Sequence, residues 1–140
     1  MRYAYAAILD QEPEGGFTVT FDGVPGVTYG GTRDDALDHA VDALVTILSG
    51  YVDEGVPLPR PGPARGRPLV AVPALEAAKL ALHEAMVARG VTNVDLAREM
   101  GLDEKAVRRL RDPLHRSHIG QVEAALRHLG RRVVLDVVEI

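Results

Sequence analysis

Residues 92–112 constrain the fold of this chain more than any other stretch, because their pattern requires two short helices that meet at a tight turn. Leu96 and Met100 lie four residues apart, and Val107 and Leu110 lie three apart, so each pair occupies one face of a helix. Gly101 lies between the pairs, where a helix end often needs the left-handed conformation. The stretch therefore predicts a helix-turn-helix, whose second helix would lie in the major groove of DNA.

Capping residues and residue size support the same prediction. Thr92 and Asp95 have the spacing of a capping box, and Asp103 can cap the second helix. Ala97 is small, so the two helix axes can approach closely, and Leu102 adds a fifth apolar position to the motif. The stretch thus carries start, turn and packing signals that agree with one another.

The second helix leaves charged side chains on its outer face, and these are the candidate DNA contacts. They are Glu104, Lys105, Arg108 and Arg109. Lys and Arg can donate to guanine O6 and N7 and can neutralise phosphates, and a Glu can accept from the N4 amine of cytosine. Such charges also occur on the surface helices of ordinary bundles, so the assignment depends on the helix-turn-helix pattern around them.

A short basic segment follows the helix-turn-helix. Pro113 interrupts the chain, and Ser117 can cap a helix over residues 118–129. The free amides and positive dipole end of that helix favour phosphate contact by Arg116 and His118. A solvated basic loop explains these residues nearly as well. A metal site is disfavoured, because no further ligand lies near His115 and His118 in the sequence.

The first part of the chain carries the alternation and turn chemistry of a small sheet. Residues 2–9 and 17–21 predict a hairpin, since Pro13 and a Gly pair lie between them. Residues 27–30 predict a short third strand, and residues 69–72 predict a fourth strand that returns to the first sheet.

A long helix is predicted from Arg33 to Val52, behind the capping residue Thr32. Its apolar stripe is Leu37, Val41, Leu44, Val45 and Leu48. Three aspartates, Asp34, Asp35 and Asp38, lie in its first turns, where the helix dipole favours negative charge, so they need no functional explanation. Residues 57–68 are rich in Pro, Gly and Arg and predict an exposed loop.

The remaining chain predicts an all-α domain with one terminal strand. A helix over 74–89 would bury Leu75, Ala78, Leu82, Ala85 and Met86, and the 118–129 helix would bury Ile119, Val122, Ala125, Leu126 and Leu129. Residues 131–138 predict a strand, which needs a pairing edge. The same strand of a second subunit would supply that edge and the two-fold symmetry of operator binding.

The fold class is therefore α+β, with a domain over residues 1–73 and a second over 74–140. Cysteine is absent, which excludes disulfides and thiolate metal sites and fits a cytoplasmic location. No apolar run is long enough to span a membrane, and the N-terminus lacks a secretory layout. Residues 1–59 hold 2 Arg and 10 acidic residues, net −8, and residues 60–140 hold 14 basic and 10 acidic residues, net +4. This asymmetry predicts two partners of opposite charge.

Two blocks of the chain resemble a known family. The first is EGGFTVTFDGVPGVTYGGTRDDALDHAVDAL with the VPLPRP that follows, and the second is LAREMGLDEKAVRRLRDPLHRS with VEAALRHLGRRV. In this order they resemble the HicB antitoxins of the helix-turn-helix class. One departure is the loop after Phe21, where Gly23 and Val24 precede Pro25, whereas many members carry Pro close behind the Phe.

The resemblance implies a fold, two partners and a function. It implies a partial RNase-H-like first domain of three to four strands and one helix, which binds and blocks HicA, a small basic toxin that cleaves mRNA. It also implies a second domain that binds operator DNA as a homodimer or higher oligomer and represses the operon. No cofactor, metal or enzymatic activity is expected.

Two other functions stay open for the first domain. Asp10, Glu12 and Asp22 could cluster at one end of the hairpin and hold divalent metals for phosphodiester hydrolysis. We disfavour this nuclease hypothesis for two reasons: Asp is common in turns without any function, and the domain lacks the further strands and helices that would complete a nuclease site. The same three residues could instead contact a basic toxin. The main alternative is a stand-alone helix-turn-helix transcription factor whose first domain senses a small ligand.

Overall fold

The computed structural model describes residues 2–140 and has the predicted α+β fold. The elements are β1 Ala4–Gln11, β2 Phe17–Phe21, β3 Val24–Gly30, α1 Arg33–Glu54, β4 Leu69–Ala71, α2 Ala74–Arg89, α3 Asn93–Met100, α4 Glu104–Arg111 and α5 Ile119–His128. The chain divides into two compact units. The first unit comprises the chain up to Tyr51 together with Leu58–Pro73. The second unit comprises Val52–Pro57 and Ala74–Ile140.

The first unit contains one antiparallel sheet in the order β3-β2-β1-β4. The predicted hairpin is confirmed, with Ala7 opposite Phe21 and Gln11 opposite Phe17. The predicted return of the fourth strand is also confirmed, because β4 pairs with β1. β3 begins at Val24 rather than at residue 27, since an irregularity in register after Thr20 extends its pairing with β2.

Strand alternation places Tyr5, Ala7, Val19 and Phe21 together on the buried face of the sheet. The side chains that α1 buries are Ala36, Ala40, Leu44, Val45, Leu48 and Ser49. Leu37 and Val41, predicted for this stripe, are only half-buried. The cause is a close approach at Gly30, where a Cβ would lie 2.1 Å from the backbone nitrogen of Ala36, so the small side chains of α1 face inward.

The second unit is a helical domain built around α2. Its core consists of Ala78, Leu82, Ala85, Met86, Leu96, Ala97, Val107, Leu110, Val122, Ala125, Leu126 and Leu129. Four predicted apolar positions lie outside this core. Leu75 and Met100 are partly buried against it, whereas Leu102 is 42% exposed in the turn between α3 and α4, and Ile119 is 41% exposed. Ile119 is the first residue of α5 and follows an exposed segment, so its side chain lies at the surface.

The predicted strand over residues 131–138 is absent from the described chain, where residues 131–140 have no regular secondary structure. A strand needs a hydrogen-bonding neighbour, and the sheet of the first unit does not include this segment. Val133 packs against the core of the second unit, whereas the apolar side chains beyond it face solvent: Val134, Leu135, Val137 and Val138 are between 67% and 85% exposed.

The segment between α1 and β4 has no regular structure from Pro57 to Arg67, as predicted for a loop. It is anchored to the first unit at both ends. The Tyr5 hydroxyl donates to the carbonyl of Pro59 at 2.8 Å, and Arg67 lies 3.5 Å from the carboxylate of Asp22. None of the helices within residues 2–140 has both the length and the apolar character needed to cross a lipid bilayer.

Candidate nucleic-acid interface

The turn between α3 and α4 has the backbone conformation that the sequence predicts. The Thr92 hydroxyl accepts from the Asp95 amide, and the Asp95 carboxylate accepts from the Thr92 amide, each at 3.1 Å. The hydrogen bond from the Thr92 amide to the Asp95 carboxylate, with further effects of the Thr92 hydroxyl and of Arg98, holds the pKa of Asp95 below its usual range. Gly101 ends α3 with φ 67° and ψ 31°, the left-handed conformation that an L-residue with a Cβ adopts at a cost.

The packing of the two helices also follows the prediction. Asp103 caps α4 by accepting from the amide of Ala106 at 2.8 Å. Leu96, Ala97, Val107 and Leu110 are buried between the helices and the rest of the core. Because Val107 and Leu110 are buried, the opposite side of α4 faces solvent, and the packing of α4 on the core determines which side chains that exposed side carries.

The outer face of α4 presents its basic side chains to solvent. Lys105, Arg108 and Arg109 are exposed, and Glu104 is half-buried. Glu104 accepts from Arg108 at 2.6 Å, with 65% of the Arg108 side chain still exposed. In the free protein Glu104 therefore orients Arg108, and a Glu104 that accepted from cytosine would have to share or release this ion pair.

Arg116 and His118 lie on the exposed segment that joins α4 to α5. His118, not Ser117, is the N-cap of α5, and its side chain makes no capping hydrogen bond. The predicted Ser117 cap is wrong because the Ser117 hydroxyl accepts from the Nζ of Lys79 at 2.8 Å instead. The first amides of α5 are consequently left without a side-chain cap, which is the arrangement that suits a phosphate oxygen.

Another arginine of α4 points inward. Arg111 donates from Nη1 to the Asn93 side-chain oxygen and from Nη2 to Nδ1 of His83, both at 2.7 Å. The Nε2 of His83 lies 2.7 Å from the carbonyl of Val56. Because a carbonyl only accepts and a guanidinium only donates, the His83 ring is neutral with its proton on Nε2. Burial, assisted by the charge of Arg111, lowers the pKa of His83.

Lys79 and His83 are functional candidates that the sequence analysis missed. Both are completely buried on α2, although a helical Lys or His is ordinarily assigned to the surface. The available signal was the stretch around them, A-A-K-L-A-L-H, which is apolar on every side. A helix that is apolar all round is a buried helix, so its polar residues need partners inside the protein.

The three acidic residues proposed for the first domain do not come together. Asp10 and Glu12 lie at the β1–β2 turn, where Glu12 accepts from Thr18 at 2.6 Å. Asp22 follows β2 at the opposite end of the hairpin and faces Arg67. The predicted cluster is wrong because β2 runs its full length between the two positions. Among residues 2–140 no group of three or more His, Cys, Asp or Glu side chains could hold a metal ion.

Comparison with known proteins gives a consistent result over nearly the whole chain. Residues 4–81 match a family model described as the HicB_like antitoxin of bacterial toxin–antitoxin systems. Antitoxin HicB of Pseudomonas fluorescens is 38% identical over 138 residues, covering 96% of this chain and 94% of that protein. Antitoxin HicB 1 of Photorhabdus laumondii is 33% identical, covering 95% and 86%. Antitoxin HicB of Escherichia coli K12 is 32% identical, covering 96% and 99%.

Proposed function

The chain belongs to the HicB-like antitoxin family of bacterial toxin–antitoxin systems, and from that premise we propose that it neutralises a small RNA-cleaving toxin and represses its operon by binding operator DNA. In this proposal it acts by binding, not as an enzyme. The first unit binds the toxin and the second unit binds the operator. The observation that carries the DNA-binding part is the capped helix-turn-helix with an exposed basic face on α4.

Operator binding would use two groups of side chains. Lys105, Arg108 and Arg109 would enter the major groove with α4, and Arg116 and His118 would contact a phosphate beside the start of α5. Base contacts supply the specificity, whereas phosphate contacts set the register of the protein on the duplex. Glu104 would either read a cytosine or hold Arg108 in the reading orientation through their 2.6 Å ion pair.

Toxin binding is supported by the family and by the charge of the first unit. That unit holds 5 basic and 8 acidic side chains, net −3. Its exposed carboxylates include Asp10, Asp22, Asp34, Asp38 and Asp42. The helix dipole explains the aspartates of the first turn of α1 but not Asp42, which lies in the third turn. A protein that cleaves RNA needs a basic surface, and an acidic surface can compete with RNA for it.

Dimerisation would occur through the C-terminal segment. Residues 131–140 pair with the same segment of a second copy and bury the exposed Val134, Leu135, Val137 and Val138. Each such side chain contributes about 1.5–3 kcal/mol when fully buried. A two-fold dimer would place two copies of α4 at half-sites roughly 34 Å apart. A chain ending at Gly130 should sediment as a monomer; a dimer of unchanged affinity would contradict this assignment.

One experiment on the full chain tests both activities. The small open reading frame beside the gene is expressed with and without this protein, and growth and RNA cleavage in vitro are measured. Operator binding is measured by fluorescence anisotropy on the DNA upstream of the operon. We expect Arg108→Ala combined with Arg109→Ala to abolish operator binding and to leave neutralisation intact. A harmless neighbour, or a toxic one that this chain does not neutralise, would refute the antitoxin proposal.

The ligand-sensing alternative has less support. A groove between β3 and α1, lined by Val27, His39, Asp42 and Ile47 among others, is shallow and open to solvent. A small-molecule sensor needs a concave site that encloses most of its ligand. This groove does not have that form and gives the alternative no support.

A further inference from the structure

Lys79 is a completely buried cation within the second unit. Its Nζ has four acceptors within hydrogen-bond distance, among which its three protons are shared: the backbone carbonyls of Arg109 at 2.9 Å, Asp112 at 3.0 Å and His115 at 2.5 Å, and the Ser117 hydroxyl oxygen at 2.8 Å. All four acceptors lie within the nine residues that lead from the last turn of α4 towards α5. One side chain of α2 therefore holds the whole connection between the two candidate DNA-contacting groups.

The acceptors explain why a cation stands here. The last carbonyls of a helix lack intrahelical donors, and the negative end of the helix dipole favours positive charge. Arg109 belongs to the last turn of α4, and the residue four positions on is Pro113, which has no N–H, so Lys79 supplies the donor that the Arg109 carbonyl lacks. The carbonyl of Asp112, the C-cap, accepts from the His115 amide at 3.1 Å as well as from Lys79. Burial lowers the pKa of Lys79, and the nearby charges of Asp112 and Glu76 oppose that effect.

The choice of lysine over arginine also fits this role. The chain has 14 Arg and only 2 Lys, Lys79 and Lys105. An ammonium is a compact point charge whose three protons can point towards converging carbonyls, whereas a guanidinium is a planar fork suited to flat, paired acceptors. Burying a cation is costly and an apolar side chain would pack at lower cost, so the carbonyls of the connection account for its presence.

We propose that Lys79 is a positioning residue for operator recognition: by holding the backbone of residues 109–117, it fixes Arg116 and His118 relative to Arg108 and Arg109, so that both groups contact the same duplex. Lys79 itself touches no DNA. This inference rests on the proposed operator binding, and it adds a buried determinant that no exposed residue reveals. Without the contact, the connection would sample other conformations and the phosphate contact would be lost.

A double-mutant cycle on operator affinity tests this role. The full chain is compared as wild type, Lys79→Met, Arg116→Ala and the double variant, with circular dichroism and thermal unfolding as checks of folding. We expect Lys79→Met to weaken operator binding about tenfold or more, and Arg116→Ala to have little further effect in that background. A residue that only supports the fold would give effects that multiply, because Arg116 would still make its contact in the folded molecules.

The second lysine provides the matched control. Lys105→Met removes an exposed lysine of α4, and its effect should multiply with that of Arg116→Ala, because each side chain contacts DNA independently. If Lys79→Met does not fold, Ser117→Ala removes one acceptor only. It should weaken binding two- to fivefold and should reduce the effect of Arg116→Ala.

The outcomes separate this inference from the proposed function. Fully multiplicative effects of Arg116→Ala in both the Lys79→Met and Ser117→Ala backgrounds, or unchanged affinity of a folded Lys79→Met chain, would overturn the role of Lys79 alone. A wild-type chain that binds no fragment of the upstream DNA would overturn operator binding and this inference with it. The inference would be supported if Arg116→Ala weakens binding in the wild-type and Lys105→Met backgrounds but has a smaller effect, or none, in the Lys79→Met and Ser117→Ala backgrounds.

Discussion

Acid should destabilise the second unit through His83. The ring is completely buried, its Nε2 donates to the carbonyl of Val56, and its Nδ1 accepts from Arg111, each at 2.7 Å. Protonation would remove the only acceptor that the ring offers to Arg111 and would place a second positive charge beside the guanidinium. Burial and the charge of Arg111 accordingly hold the pKa of His83 below the ordinary value of 6.5.

The sign and size of the effect follow from linkage. The unfolded chain binds a proton at His83 near pH 6.5, whereas the folded chain binds it only at lower pH. Unfolding therefore takes up a proton between the two pKa values, so the stability is fully present above 6.5 and falls as the pH drops through this window. The free energy of unfolding should decrease by at most about 1.4 kcal/mol per pH unit.

The matched variant is His83→Gln, because a glutamine amide can donate to Val56 and accept from Arg111 without titrating. Urea unfolding followed by helical circular dichroism would be measured for both proteins at several pH values from 7.5 to 5.0. Hydrogen exchange of α2 amides would locate the change. We expect the wild type to lose stability faster than the variant below pH 6.5. Carboxylates such as Asp95 titrate in both proteins and cancel in the difference, so parallel curves would refute the reasoning.

Three further predictions concern single side chains. Thr92→Ala should lower the free energy of unfolding by about 1 kcal/mol, because it removes the hydroxyl that caps α3; urea titration measures this, and no loss would contradict the cap. Gly30→Ala should cost roughly 1–3 kcal/mol, since its Cβ would meet Ala36 backbone, whereas the control Gly31→Ala has no neighbour nearer than 3.9 Å and should fold almost normally. Arg108→Ala should cost roughly 1–3 kcal/mol of operator discrimination if Arg108 reads a base; equal weakening on all sequences, with a smaller salt slope, would assign it to phosphate.

The parts of the fold that could be predicted are those whose signals are local. Alternation in residues 17–21 and the Thr32, Gly55 and Gly101 boundaries depend on near neighbours in the chain, and the structure has them where expected. The helix-turn-helix was predicted for the same reason. The burial of Ala36 and Ala40 in α1, in place of Leu37 and Val41, was not predicted. It goes with the close contact between Gly30 and Ala36, and the spacing of apolar residues within the helix carries no information about that contact.

The parts of the site that could not be predicted depend on partners far along the chain. Ser117 has the residue type of an N-cap, yet its hydroxyl is taken by Lys79, 38 residues away. Arg111 has the residue type of a DNA contact, yet it is half-buried and bonded to Asn93 and His83. Sequence reasoning assigns such side chains by type and position on a helix. The inward orientation of Ser117 and Arg111 depends on their partners Lys79 and His83 on α2, and the sequence alone would assign both of those polar residues to the surface.

Net charge illustrates the same limit and bears on how DNA binding should be tested. The asymmetry between residues 1–59 and 60–140 largely disappears when charges are counted by unit, because Arg60, Arg65 and Arg67 belong to the first unit and Asp53 and Glu54 to the second. By units, the second holds 11 basic and 12 acidic side chains, net −1. Overall attraction of this unit to DNA would therefore be weak, and in the proposed operator complex the affinity would come from the few charges on α4 and beside α5. The salt dependence of operator binding should accordingly report a small number of phosphate contacts, each removable by one substitution.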